Sequence, residues 1–229
     1  MIMTAKPNDI ASGAPLVGVI HYGAGNIGNV RRALTRLPVR HTLLEKPDDL
    51  ERETPELLLL PGVGAFRTAF ERLDALGWPE VLRRWAGAGR PIVGICVGMQ
   101  LLCTQSDEDG QTRGVGLLEG SVTRLTGAAK TPHVGWNTLQ WSRGAGSFAA
   151  LSEEGQNFYF VHSYAPEADS PHCLAATEAG GARFGSVMKN GSVVGFQFHP
   201  ERSGPDGVSF LERALLYMIE TERSQGDVN

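Results

Sequence analysis

Short apolar runs that alternate with helical patterns constrain the first half of this chain more than any other feature. Leu16 to Ile20 (LVGVI) reads as a buried strand, and Ile27 to Leu37 has helical spacing that Pro38 stops. Arg40 to Leu44 is a second strand and Glu56 to Leu60 a third, ended by Pro61-Gly62. Ala65 to Leu76 and Pro79 to Ala86 follow as helices. Pro91 to Ile95 (PIVGI) is a short buried strand that runs straight into Cys96, and Val97 to Gln105 continues as helix. Strands alternating with helices pair in parallel, because each helix carries the chain back to the starting edge. The expected fold class is α/β: an open, mostly parallel doubly wound sheet with helices on both faces.

The second half differs. Thr131 to Asn190 is rich in Gly and Ser and holds short alternating segments such as Phe158 to Val161 and Leu174 to Thr177. These predict an antiparallel extension beside the parallel sheet. A strand at Val193 to Phe198 and a helix from about Val208 to Thr221 close the chain. Residues 1–14 read as a flexible arm, 15–221 as one domain and 222–229 as a frayed tail.

Bulk properties exclude several functions. A net charge of -4 argues against a general nucleic-acid binder, which needs a basic surface for phosphates. No apolar run approaches the roughly 20 residues that span a bilayer, and the N-terminus lacks the apolar stretch of a secretion signal. Cys96, Cys103 and Cys173 are an odd number without C-x-x-C spacing, so neither a disulfide framework nor a structural zinc site is expected. Reduced thiols fit a cytoplasmic protein.

The informative segment is Gly94-Ile95-Cys96-Val97-Gly98-Met99-Gln100. An apolar strand delivers a cysteine to a tight turn and a helix follows, with glycine two positions away on either side. A nucleophile elbow needs this arrangement, because the sharp turn crowds its neighbours and glycine removes the clashing Cβ. The thiol is then expected to stand exposed above the sheet at a helix N-terminus, where free N–H groups and the helix dipole favour the thiolate. Cys103 and Cys173 lack flanking glycines and read as core.

A thiol nucleophile needs a proton acceptor. Gly195-Phe196-Gln197-Phe198-His199-Pro200-Glu201 supplies one at the end of the last strand. Pro200 biases His199 toward extended geometry, and in an extended stretch residues two apart point the same way. Glu201 is therefore expected beside His199, fixing its tautomer. Parallel strands end on one edge of the sheet, where α/β proteins place their sites. The other histidines, His21, His41, His133, His162 and His172, show no comparable pairing and no metal-ligand pattern.

With these residues placed, the sequence closely resembles the class I (triad) glutamine amidotransferases, whose signature is Gly-x-Cys-x-Gly-x-Gln with a later His-Pro-Glu. Pro61-Gly62-Val63-Gly64-Ala65-Phe66, Pro132-His133-Val134-Gly135-Trp136-Asn137, His162-Ser163-Tyr164 and His199-Pro200-Glu201-Arg202-Ser203-Gly204 resemble one branch, the glutaminase subunit of imidazole glycerol phosphate synthase, the HisH family. The resemblance covers roughly residues 16 to 220.

The resemblance implies that Cys96 attacks the side-chain amide of glutamine, that His199 held by Glu201 carries protons, and that ammonia and glutamate leave through a thioester. It implies an oxyanion site near Val63, Gly64 and Val97. It implies a glutamine pocket that includes Gly62, Gln100, Ser163 and Tyr164, with Glu108 meeting the substrate's amino group. No metal or organic cofactor is expected. The resemblance also implies a (β/α)8-barrel cyclase subunit as partner in a heterodimer, met through Lys130, Trp136, Asn137 and Arg202. No nucleic acid or membrane is expected. The alternative for Trp136 is an ordinary core aromatic.

Two positions depart from the family pattern: His21 replaces an acid in the first-strand motif, and Arg202 replaces the usual lysine. Arginine and lysine are not interchangeable at a specific contact, so these changes bear on the interface and leave the triad intact. The rival readings are a dinucleotide-binding turn at Gly23-Ala24-Gly25-Asn26-Ile27-Gly28 with Glu45 downstream, an amidotransferase for another acceptor, and a non-catalytic scaffold subunit.

Overall fold

A computed structural model describes residues 13–127 and 130–226. Most of the expected arm lies outside these residues, as do 227–229. Alternation in the first half yields β1 (Leu16–Ile20), α1 (Ile27–Leu34), β2 (Arg40–Leu44), α2 (Asp49–Glu53), β3 (Leu57–Gly62), α3 (Phe66–Ala75), α4 (Trp78–Gly87), β4 (Ile92–Cys96) and α5 (Val97–Leu102). The second half gives β5 (Cys103–Ser106), β6 (Thr112–Arg113), β7 (Leu118–Arg124), β8 (His133–Asn137), β9 (Gln140–Trp141), β10 (Phe158–His162), β11 (Tyr164–Pro166), β12 (Cys173–Ala179), β13 (Ala182–Asn190), β14 (Val193–Phe196) and α6 (Gly204–Gly226).

The main sheet runs β2-β1-β3-β4-β14-β13-β12-β9. Its first five strands pair in parallel, and β13, β12 and β9 extend it antiparallel. Strands β3, β4 and β14 are buried at every residue, as strands covered on both faces must be. The expected fold class holds. The antiparallel half is more divided than expected: β10-β8 form a separate ribbon, and β11-β7-β5-β6 a separate four-stranded sheet.

Three boundaries differ for physical reasons. The helix after Cys96 stops at Leu102 instead of Gln105, because Val115, Leu117 and Gly116 donate N–H groups to the carbonyls of Leu101, Leu102 and Cys103. A distant segment thus takes the carbonyls a longer helix would need. The last strand ends at Phe196, and Gln197 to His199 leave it before a 3₁₀ turn at Pro200–Arg202. The final helix begins four residues earlier than expected and continues to Gly226, so residues 222–226 are helical rather than frayed.

The seat of α5 is unusually close. Gly94 and Gly195 are partners across β4 and β14. A Cβ on Gly94 would lie 2.7 Å from the Met99 Cα, and one on Gly195 would lie 2.0 Å from the Met99 Cγ. A Cβ on Gly98 would fall 1.8 Å from the Leu60 carbonyl oxygen. Only glycine allows the helix to descend this far onto the carboxyl edge of the sheet.

Candidate active site

Cys96 sits where β4 turns into α5, with φ 54° and ψ -116°. A residue with a side chain in this region stores strain of the order of 1–3 kcal/mol, which the packing around it must offset. Gly62, its register partner on β3, explains part of that packing. A Cβ there would lie 2.4 Å from the Gly98 N and 2.9 Å from the Tyr22 hydroxyl. Gly62 therefore packs closely against the elbow and is not among the residues that line the cleft.

The thiol is not exposed as the sequence suggested. Cys96 is only 4% exposed and forms part of the wall of a cleft of about 280 Å³. With six residues, α5 also offers a smaller dipole than the longer helix expected.

His199 reaches the same cleft from beyond β14. Its Nδ1 lies 2.8 Å from Glu201 Oε1, and both side chains are almost fully buried. The pairing expected from the sequence is present, but by a different route. Glu201 lies in the 3₁₀ turn, so the turn and not strand alternation brings it back to the ring. Burial works against a charged His199, yet its contacts with Cys96 and Glu201 outweigh that and raise its pKa to about 10. The chemical consequence is a strong proton acceptor beside a thiol.

Ser203 holds this turn. Its Oγ donates to the His199 carbonyl at 2.7 Å and accepts the Tyr159 N–H at 2.9 Å. The His199 N–H donates to the Tyr159 carbonyl at 2.9 Å. The base is thus fastened to β10 directly through its own N–H and indirectly through the Ser203 hydroxyl.

Val63, Gly64 and Val97, the expected oxyanion residues, all line the cleft, as do Gln100, Glu108, Ser163, Tyr164 and Arg202. Glu108 Oε2 accepts the Phe66 N–H at 2.7 Å, which ties it to the start of α3. Burial raises the Glu108 pKa, with that N–H opposing. Gln100 spends its Nε2 within the protein, on the Tyr164 carbonyl at 2.8 Å and on Gln197 Oε1 at 3.0 Å. Gln197 is the residue the sequence reading passed over: fully buried, it places Nε2 at 3.7 Å from Cys96 Sγ. An amide carries no sequence signature of such a role.

His162, in the His162-Ser163-Tyr164 motif, shows no pairing in the sequence. Its Nδ1 donates to the Tyr164 carbonyl at 3.0 Å, and its ring meets His133 edge to face. Burial, with His133 and His199 nearby, pushes its pKa down to about 3, so it stays neutral. Cys103 is fully buried as expected, and burial pushes its thiol up to about 12. Cys173 is half-buried rather than core.

The expected interface residues divide into two groups. On β8, burial alternates and leaves Val134 and Trp136 exposed at 56% and 54%, so Trp136 is no core aromatic. Trp136 meets the Tyr159 ring edge to face, and the Arg202 guanidinium lies 4.4 Å over that ring. Lys130 and Asn137 instead line a separate hollow beside Glu178. In the Gly23 to Gly28 turn, Asn26 caps α1 by accepting the Asn29 N–H, and Arg72 Nη1 donates to the Gly23 carbonyl at 2.5 Å. Among the described residues no helix is long and apolar enough to cross a membrane, and no group of three or more His, Cys, Asp or Glu is placed to hold a metal ion.

A doubly wound sheet with a strained thiol at its carboxyl edge, served by a carboxylate-held imidazole from the next strand, defines a cysteine-nucleophile hydrolase of the α/β class. The family model for class-I glutamine amidotransferases matches residues 18–218. The imidazole glycerol phosphate synthase subunit HisH of Oceanobacillus iheyensis is 39% identical over 198 residues, covering 86% of this chain and 97% of the relative. The HisH subunit of Geobacillus kaustophilus is 40% identical over 217 residues, covering 92% and 100%. Among solved structures, a glutamine amidotransferase superposes with TM-score 0.64 at 22% identity over 90% of this chain and 98% of that one. PurLQS from Thermotoga maritima gives the same TM-score and identity, with 90% and 99% coverage. These two show the shared fold. The chain belongs to the class-I glutamine amidotransferases and, within them, to the HisH subunits of imidazole glycerol phosphate synthase.

Proposed function

We propose that this chain hydrolyses glutamine to glutamate and ammonia and delivers the ammonia to a cyclase subunit in histidine biosynthesis. The observation that carries the reading is Cys96, strained at its elbow, sharing one cleft with a His199 locked on Glu201. His199 takes the Cys96 proton, and Sγ attacks the carboxamide carbon of glutamine. Backbone N–H groups near Val63, Gly64 and Val97 receive the negative oxygen. His199 returns the proton to the departing nitrogen, ammonia leaves, and the same base activates water to hydrolyse the thioester. Glu108 has Oε1 available for the substrate's ammonium, while Oε2 holds Phe66. With its Nε2 committed, Gln100 has only its oxygen for the substrate, and Ser163 and Tyr164 complete the wall. None of these steps calls for a metal or organic cofactor.

The partner is a (β/α)8-barrel cyclase, bound as a heterodimer that works as a lyase in the cytoplasm. It joins ammonia to a phosphoribulosyl-formimino nucleotide, yielding imidazole glycerol phosphate and an aminoimidazole carboxamide ribotide. The patch of Trp136, Tyr159 and Arg202 supports the docking face, because a half-exposed tryptophan beside a stacked guanidinium is what interface centres are made of. Lys130 and Asn137 would meet the partner from their own hollow, which shares Val134 of β8.

Cys96→Ala is expected to abolish glutamine hydrolysis while ammonia-dependent synthesis by the complex continues. Normal glutamine-dependent synthesis by this variant would refute the assignment. Trp136→Ala is expected to weaken cyclase binding by about 2 kcal/mol, roughly thirtyfold in Kd. Titration calorimetry with the cyclase measures this, and unchanged affinity would move the docking face elsewhere.

A further inference from the structure

Gln197 lies between β14 and His199, and its side-chain amide is enclosed by protein. Its Oε1 accepts from Gln100 Nε2 at 3.0 Å, and its Nε2 stands 3.7 Å from Cys96 Sγ. Which end of this amide faces the sulfur is fixed by chemistry at a distance. The backbone carbonyl of Tyr164 can only accept. It takes the Gln100 Nε2 at 2.8 Å and the His162 Nδ1 at 3.0 Å. Gln100 must therefore turn its NH₂ group toward Tyr164, and the second hydrogen of that group meets Gln197 Oε1. Gln197 must in turn aim its own NH₂ at the sulfur. Two amides in series convert a backbone acceptor into a donor directed at the thiol.

We propose that Gln197, oriented by Gln100 and the Tyr164 carbonyl, is a positioning residue that holds Cys96 Sγ and stabilises its thiolate through an N–H···S contact. Cys96 is 4% exposed, so water supplies little of the solvation a thiolate needs. His199 offers a donor only while it is protonated, and that proton leaves with the ammonia. The Gln197 amide is neutral throughout and keeps its hydrogen on the sulfur side across both half-reactions. Contacts of this kind gain strength when the acceptor is charged, which is the state the chemistry requires.

The inference rests on Cys96 being the nucleophile proposed above, and its test reads the thiol without glutamine turnover. The full chain is alkylated with iodoacetamide across a pH series, and modification is counted at Cys96 by peptide mass so that Cys103 and Cys173 do not contribute. Gln197→Met keeps the side chain's length and removes the donor. Its low-pH limb is expected to move up by about one unit, with a rate up to about tenfold lower along that limb. Gln100→Glu cannot donate to Gln197 and leaves its amide free to turn its oxygen toward the sulfur, so the limb moves the same way. Circular dichroism checks folding. If Gln197→Met does not fold, Gln197→Asn, too short to reach Sγ, takes its place. Wild-type alkylation profiles in the folded variants, with only a lower Tm, would overturn the proposal. Failure of the nucleophile assignment itself would appear separately, as glutamine hydrolysis by Cys96→Ala.

Discussion

Cys96 ends β4 and His199 lies three residues beyond β14, the adjacent parallel strand, yet they are held by different means. Cys96 is held by contact. Its backbone is forced to positive φ by the close approach of α5 to β3, β4 and β14, with glycines at 62, 94, 98 and 195 leaving no slack. His199 is held by hydrogen bonds, to Glu201 through its ring and to Tyr159 and Ser203 through its backbone. Contact of the first kind is all or none, because a packed interior does not yield by an ångström. Bonds of the second kind can be removed singly, each with its own cost. The nucleophile is therefore a preset element and the base an adjustable one.

The comparison can be broken most sharply at the elbow. Gly98→Ala puts a methyl into the Leu60 carbonyl and is expected to cost more than about 4 kcal/mol, beyond the ordinary range for a single substitution. Loss of the folded chain in denaturant titration checks this, and a variant of normal stability would show that α5 floats. Next comes the base. Glu201→Gln preserves shape but lets the ring adopt the wrong tautomer, and kcat is expected to fall by about 10³- to 10⁴-fold. The same change alters pH dependence. Because the His199 pKa lies above its ordinary 6.5, near 10, its stabilising contribution is complete below about 6.5 and disappears as pH rises through about 10. Thermal unfolding of the wild type should fall over that window, and Glu201→Gln should flatten the fall. A wild-type Tm that rose from pH 6.5 to 10 would reverse the sign assigned here. The smallest effect is expected at Ser203→Ala, which removes two hydrogen bonds from the turn and should cost about 1–3 kcal/mol with activity largely retained. A collapse of kcat there would mean that the base, like the nucleophile, tolerates no play.

This division also explains what the sequence disclosed. Glycines flanking a cysteine are visible in one dimension, because the steric demand is local; Gly94 and Gly98 were legible for that reason. Gly195 serves the same helix from across the sheet, so it carried no local mark. The parallel strands were legible because burial on both faces leaves continuous apolar runs. Helix α5 is shorter than its sequence pattern because its end is decided by residues 115–117 capturing carbonyls at 101–103. The pairing of His199 with Glu201 was foreseen, but the geometry attributed to it was that of a strand, not of a 3₁₀ turn. Gln197 and Ser203 were missed because hydrogen-bonding roles depend on partners far along the chain. The exposure of Trp136 was foreseen only through the resemblance, since an aromatic in an alternating strand looks the same whichever face is buried.

The two facing glycines beneath α5 have a consequence for redesign. Gly94 and Gly195 meet the same residue, Met99, so the three positions form one unit of substitution rather than three. A larger residue at Gly195 presses first on the Met99 side chain, and trimming Met99 opens only part of the room. At Gly94 the obstacle is Met99 backbone, which no side-chain exchange can move. A double change at β14 relieves the closest contact, with the Met99 Cγ at 2.0 Å, and leaves the Met99 Cβ at 2.7 Å; at β4 no side-chain exchange relieves the Met99 backbone at all. Libraries intended to alter the amide specificity of this site are best spent on the cleft wall, with Gly94, Gly195 and Met99 left as they stand.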